Sequence, residues 1–329
     1  MRNLPALAGC LALLSCASPA PPAKLEVKSY LGQANVFFLE ATQANVHAAI
    51  MPDLGARVVR FARGEENILW QNDDALGNPR PGGGFQLDLG PEMRQIPKHD
   101  AIWSGRYQGS RLGAVGARFV SAPDPAVGVQ VIKEFGLDSR NGSLEVVGRM
   151  RNVTQGEVSY CFWDRTLVKP GGWTLIPLPE KSRFKARWCL GRRVPGKESQ
   201  WTYDGDAPSH ASMKVLQDVL VVKTGGPEQK VGTDTMDGWI AYAKGKLLFV
   251  KYFPCFPDGK YTDGGMSVAH YYRENLSELE PISPEVTLKP ESDWVFPQMW
   301  VLIPIDKEPA SFEEARALVS KIPPSPFKQ

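Results

Sequence analysis

The chain has 329 residues, room for one large β domain or two ordinary ones, and its 38 basic and 36 acidic residues leave a formal charge of only +2. No basic run stands out, which argues against nucleic acid as a partner. Thirty-one glycines and 28 prolines interrupt the sequence at short intervals, a pattern that suits many short strands joined by turns.

Residues 1–15 read as an export signal. Arg2 supplies a short positive region, and residues 4–14 form an apolar run too short to span a bilayer. Leu13-Leu14-Ser15-Cys16 resembles a bacterial lipobox, in which the cysteine is lipidated and becomes the new N-terminus. Leu7-Ala8-Gly9-Cys10 matches the box pattern better but leaves too short an apolar run before it. Residues 16–29, opening on Ala17-Ser18-Pro19-Ala20-Pro21-Pro22, read as a flexible tether. The expectation is an exported bacterial lipoprotein, anchored to a membrane through Cys16 in the periplasm or at the outer membrane. Cys161, Cys189 and Cys255 then remain in the mature chain and allow at most one internal disulfide. Each sits beside an aromatic residue and is expected to be buried and inert. No Cys/His cluster has zinc spacing, so neither a metal nor a cofactor is expected.

Residues 36–39 and 46–50 are expected as the first strands, followed by 52–61 and 67–70. A Gly/Pro-rich loop, 77–84, leads into 85–94. Residues 117–122, 127–137 and 143–151 read as strands, the last two joined by the turn sequence Asp138-Ser139-Arg140-Asn141-Gly142. Strand 158–168 ends at Lys169-Pro170-Gly171-Gly172, and further strands are expected at 173–178, 213–223, 238–243 and 246–253. Asp258, Asp263 and Gly264-Gly265 read as turn residues with a weak calcium signal. A hairpin follows at 266–281, then a last strand at 294–302. Only 311–322 reads as helix, with Ser311 as N-cap, Glu313-Glu314 in the first turn and Lys321 in the last. About fifteen strands without an internal linker make residues 30–305 one large antiparallel β-sandwich, with 306–329 as a C-terminal helix and tail.

The hairpin carries the main chemical signal. Glu278 and Glu280 lie two apart on its second strand, so both carboxylates point to one face, roughly 6.5–7 Å apart along the strand. His270 lies on the partner strand, and its direction depends on register. A four-residue loop, 273–276, pairs it with Leu279 and turns it away from the glutamates. A three-residue loop, 274–276, pairs it with Glu280 on their face, because a one-residue slip inverts the faces.

Several motifs carry a family resemblance. Pro52-Asp53-Leu54-Gly55-Ala56-Arg57 with the following Leu69-Trp70, and the segment from Gly83-Gly84 to Pro91-Glu92, resemble the galactose-mutarotase-like superfamily. Leu279-Glu280-Pro281 followed by Leu288-Lys289-Pro290 resembles the ending of its aldose 1-epimerases. Trp163-Asp164-Arg165-Thr166 and the Glu278-Leu279-Glu280 run are similar to an uncharacterised bacterial lipoprotein branch of that superfamily. The resemblance spans residues 30–305 and implies a β-supersandwich with a sugar-sized cleft on its concave face.

In aldose 1-epimerases a C-terminal glutamate takes the anomeric hydroxyl proton and a mid-chain histidine protonates the ring oxygen. Glu280 stands at the glutamate's position. The histidine is unmatched: His47, His99, His210 and His270 all lie outside 158–168, where Trp163-Asp164-Arg165 stands instead. The resemblance implies an exported carbohydrate-active protein with aldose 1-epimerase-like acid–base chemistry, an isomerase, whose catalytic candidates are Glu280, Glu278 and His270. Candidates for binding the carbohydrate ligand are Arg165 and Asp164, which point opposite ways on one strand, and Glu92, Arg94 and His99 on a Pro/Gly-rich loop. Trp103 and Trp163 offer ring faces for a sugar. Two alternatives stand beside this one: a non-catalytic glycan-binding lipoprotein, and a uronic-acid-directed lyase or epimerase in which Arg165 clamps the carboxylate.

Overall fold

A computed structural model describes residues 23–71, 83–94, 96–196, 201–204 and 210–327. The export signal, Cys16 and most of the 77–84 loop lie outside them. The described strands form two antiparallel sheets of 13 and 10 strands. The spine of the first runs Ala23–Tyr30, Gln33–Ala41, Val46–Met51, Arg57–Arg63, Phe85–Gly90, Val158–Val168, then Leu276–Pro281, Val268–Arg273, Gln229–Thr233, Cys189–Arg193 and Trp201–Asp204. At the centre of the second, Leu247–Tyr252 and Leu144–Asn152 flank the long Asp293–Pro304 strand. The expected all-β sandwich is observed.

Period-two patterning builds the core between the sheets. In Leu144–Asn152, residues 144, 146, 148, 150 and 152 are buried, while Glu145 and Arg151 on the other face are exposed. Phe61 and Phe85 of the first sheet meet Trp300 of the second edge to face, with centroids 5.7 and 5.2 Å apart. The turn after residue 137 closes as its sequence requires. The Asp138 carboxylate accepts the Arg140 and Asn141 amides, and Gly142 sits at φ +73°, where a Cβ would lie 2.7 Å from Val46.

Three expectations change. Ala23–Tyr30, read as tether, is an edge strand paired with Gln33–Ala41. Only Leu25 of its eight residues is buried, so the polar sequence gave no core-facing pattern. The C-terminal α-helix is shorter than 311–322: it spans Phe312–Ala317, with Ser311 Oγ accepting the Glu314 amide, and passes into a 3-10 turn at Leu318–Lys321. Helix and tail cover the outer face of the second sheet, Phe312 packing on Trp173 at 5.1 Å and Tyr252 donating to the Pro323 carbonyl. Finally, Gln108–Leu112, Cys189–Arg193, Trp201–Asp204 and Gln229–Thr233 are strands that the sequence reading did not separate.

Cys161 and Cys189 are buried and Cys255 is partly exposed. Burial pushes the Cys161 thiol up to about 12. No described helix is long and apolar enough to cross a membrane.

Candidate functional site

The hairpin turn is the pair Glu274-Asn275, with Arg273 opposite Leu276 and His270 opposite Leu279. This register fixes which side chains share a face. Glu278 lies opposite Tyr271 and Glu280 opposite Ala269. On the far side of Val268–Arg273, Lys230 pairs with Tyr271; on the other flank, Trp163 pairs with Asp88. Alternation then brings Asp88, Trp163, Arg165, Glu278, Glu280 and Lys230 to the face of the first sheet that points away from the core.

Arg165 is the hub of that face. Its Nε lies 3.3 Å from Asp88, one terminal nitrogen 3.5 Å from Glu92, and the other 3.8 Å from Glu278 and 3.9 Å from Glu280. Lys230 is the second cation, 2.6 Å from Glu92 and 3.4 Å from Glu280. Trp163 Nε1 donates to Glu280 at 3.2 Å, and Tyr203 donates to Glu92 at 3.2 Å. Glu92 comes from the loop after Phe85–Gly90. Asp263 holds that loop by accepting the Glu92 and Met93 amides at 3.3 and 2.5 Å. Its carboxylate is thereby spent on backbone, and among the described residues no group of three His, Cys, Asp or Glu side chains could hold a metal.

These contacts decide the charge states. Burial works against the Glu92 charge, but Lys230 and Arg165 outweigh it and hold the carboxyl below the usual range. Glu278 goes the other way: burial, then the like charge of Glu280, push it up to about 8. For His99, burial disfavours the charged ring, yet its 2.5 Å bond to Asp88 raises it above the ordinary histidine value. The other ring nitrogen lies 2.8 Å from the Pro97 carbonyl.

A pocket of about 520 Å³ opens beside this cluster, and Asp88, Glu92, His99, Trp103 and Arg165 contribute to its walls. Of the ligand-contact candidates, Glu92, His99, Trp103 and Arg165 therefore converge. Glu278 borders the same guanidinium and keeps 15% of its side chain exposed, whereas Glu280 is wholly buried.

The other candidates do not join them. His270 faces the core, its ring bonded to Thr174 and to the Glu278 carbonyl, and burial lowers it to about 4. Asp164 also points inward, 2.6 Å from Lys251, because its neighbour Arg165 takes the outer face. Trp163 is on the right face but fully buried, with Lys230 and Arg165 at 5.0 and 5.8 Å from its ring, so no face is left for a sugar. Arg94 turns to the outer rim and bonds Glu285 and the Ser159 carbonyl.

Sequence reasoning missed Asp88, Lys230 and Tyr203. Asp88 left a signal, an acid that with Gln86 alternates with the apolar Phe85, Leu87 and Leu89. Lys230 and Tyr203 left none, since they sit on short strands without clear alternation.

No protein-family model and no curated protein sequence matches the chain. Solved structures do. A galactose mutarotase-like protein from Lactobacillus casei superposes with a TM-score of 0.59 at 10% identity, over 82% of this chain and all (100%) of that one. A candidate aldose 1-epimerase from Escherichia coli gives a TM-score of 0.57 at 9% identity, over 80% and 97% of the two chains. A galactose mutarotase-related enzyme from Lactobacillus acidophilus gives 0.51 at 10% identity, over 83% and 99%. At such identities the likeness is one of fold: the chain has the galactose mutarotase-like fold, as its sequence resemblance implied.

Proposed function

We propose that the protein is carbohydrate-active and exchanges sugar anomers by proton transfer at the Arg165 pocket, with Glu278 as the reacting group. The observation that carries this reading is the Glu278–Glu280 pair, lodged between Arg165 and Lys230 with only Glu278 reaching solvent. A carboxyl raised to about 8 is largely protonated at neutral pH and can both give and take a proton. The ring oxygen and the anomeric hydroxyl sit on one carbon, so the two oxygens of one carboxyl match their spacing. Glu278 passes its proton to the ring oxygen while its other oxygen takes the hydroxyl proton. The bond from anomeric carbon to ring oxygen breaks and the aldehyde forms; rotation and the reverse transfers give the other anomer. No separate histidine acid is required. Glu280, wholly buried beside it, supplies the like charge that helps keep Glu278 raised, and Arg165 and Trp103 bind the sugar.

The test is anomeric exchange followed by NMR or polarimetry over a panel of sugars. Glu278→Gln is expected to lose roughly 10²–10⁴-fold, the usual worth of general acid–base catalysis. If the intact protein accelerates no sugar, the epimerase reading fails.

One observation favours a second reading, glycan binding without turnover: both His99 nitrogens are engaged, by Asp88 and by the Pro97 carbonyl, so the ring is not placed to exchange a proton with a sugar. The carboxylates around Arg165 disfavour the uronate reading, since a substrate carboxylate would meet Asp88, Glu92, Glu278 and Glu280. The proposal includes export and anchoring through Cys16, on the strength of the lipobox-like Leu13-Leu14-Ser15-Cys16.

A further inference from the structure

A second pocket, of about 900 Å³, lies beyond Arg94. Its walls include the half-buried rings of Phe256 and Trp294, whose centroids stand 5.9 Å apart at 52°. Its rim is charged. Lys260 bonds one oxygen of Glu285 at 2.5 Å, and Arg94 takes the other at 2.6 Å. Asp258 is exposed on the same rim and makes no hydrogen bond or ion pair among the described residues. The pocket is preformed: Phe256 donates its amide to the Tyr261 hydroxyl, its carbonyl takes the Gly259 amide, and the Glu285 amide reaches the Lys260 carbonyl.

Rings below and exposed charge above suit an amphipathic occupant. A purely oily ligand would strip water from Asp258 and Lys260 without replacing it, at a cost in free energy. A sugar offers a C–H face to the rings and hydroxyls to the rim. The loop after residue 90 also links the two pockets. Glu92 lines the first, and Arg94, at most about 7 Å of backbone later, holds the Glu285 side of the second.

We infer that one reducing oligosaccharide spans both pockets, its reducing-end unit beside Glu278 and a further unit on Phe256 and Trp294. The assignment of ends follows from the chemistry, because anomer exchange needs a free anomeric hydroxyl. This inference rests on the carbohydrate reading above and narrows its substrate class to oligosaccharides.

Calorimetry on the purified full chain tests it, comparing glucose, galactose and mannose with maltohexaose, cellohexaose and mannohexaose. An aromatic platform contributes roughly two- to tenfold in affinity, so at least one hexasaccharide should bind tighter than its monosaccharide by about that factor. Phe256→Ala should abolish the difference and leave monosaccharide affinity unchanged. Asp258→Ala, an exposed change that keeps the fold, should reduce it. Hexasaccharides no tighter than monosaccharides, or a gain that survives both variants, would overturn the second subsite and leave the proposed function standing. Binding of neither sugar class would overturn both.

Discussion

Replacing Lys251 by methionine tests how the two sheets are locked beneath the site. Lys251 and Asp164 have no exposed side-chain surface, and their charged atoms lie 2.6 Å apart. The ammonium also reaches Thr166 at 2.5 Å and stands 5.0 Å over the Trp300 ring. Removing one member of such a pair strands a buried charge and costs about 3–5 kcal/mol. Against a typical net stability of about 5–15 kcal/mol, that is a large fraction. The double variant Lys251→Met/Asp164→Leu replaces both charges by apolar groups of similar bulk and should return to within about 1 kcal/mol of wild type. Urea unfolding of the four proteins, read at constant m, gives the coupling energy directly. pH supplies a second readout. Burial lowers Lys251 from 10.5 to about 8, opposed by Asp164, so the unfolded chain binds the extra proton between those values. Wild-type stability therefore gains a contribution from Lys251 as pH rises from about 8 to 10.5, and Lys251→Met lacks it. A single variant within 1 kcal/mol of wild type, or a double variant as unstable as the two singles together, would refute the reasoning.

Glu278 gives the opposite pH signature. Its folded value is raised from 4.5 to about 8, so its contribution to stability is full below pH 4.5 and lost as pH rises through 8. Glu278→Gln should gain on wild type over that window by up to about 1.4 kcal/mol per pH unit, seen in denaturant midpoints. Burial lowers His270 from 6.5 to about 4, so wild type should lose its contribution as pH falls from 6.5 towards 4; His270→Gln should flatten that limb while anomeric exchange stays within about twofold of wild type. Cys16→Ser should release the protein from the membrane fraction of a bacterial host. Retention there would remove the anchor.

How far the sequence could be read depended on distance along the chain. The Asp138–Gly142 turn, the Ser311 cap and the common face of Glu278 and Glu280 are local, fixed within a few residues by turn chemistry or strand period. The direction of His270 hung on one residue of hairpin register, and the two-residue turn Glu274-Asn275 settled it against the site. Asp164 and Arg165 had to point opposite ways, yet nothing local said which was inside. The answer came from Lys251, 87 positions away, offering a buried ammonium on the opposing sheet. Tyr203 and Lys230 were out of reach for the same reason, since only sheet order places them beside Glu92.

That long-range assembly bears on the chemistry. The ionic contacts of the site set Arg165 and Lys230 against Asp88, Glu92, Glu278 and Glu280, with His99 on Asp88. If every group kept its ordinary state, the cluster would bury a net negative charge, which is costly away from water. A proton on His99 and another on Glu278 remove the excess, and the surroundings of both groups favour that proton. The His99 proton is fixed between Asp88 and Pro97, so it serves charge balance and orientation. The Glu278 proton is the one next to solvent, poised on a carboxyl whose neighbour can share it. A site that must hold one mobile proton to stay neutral is suited to passing that proton through a substrate and taking it back, which is what anomer exchange requires.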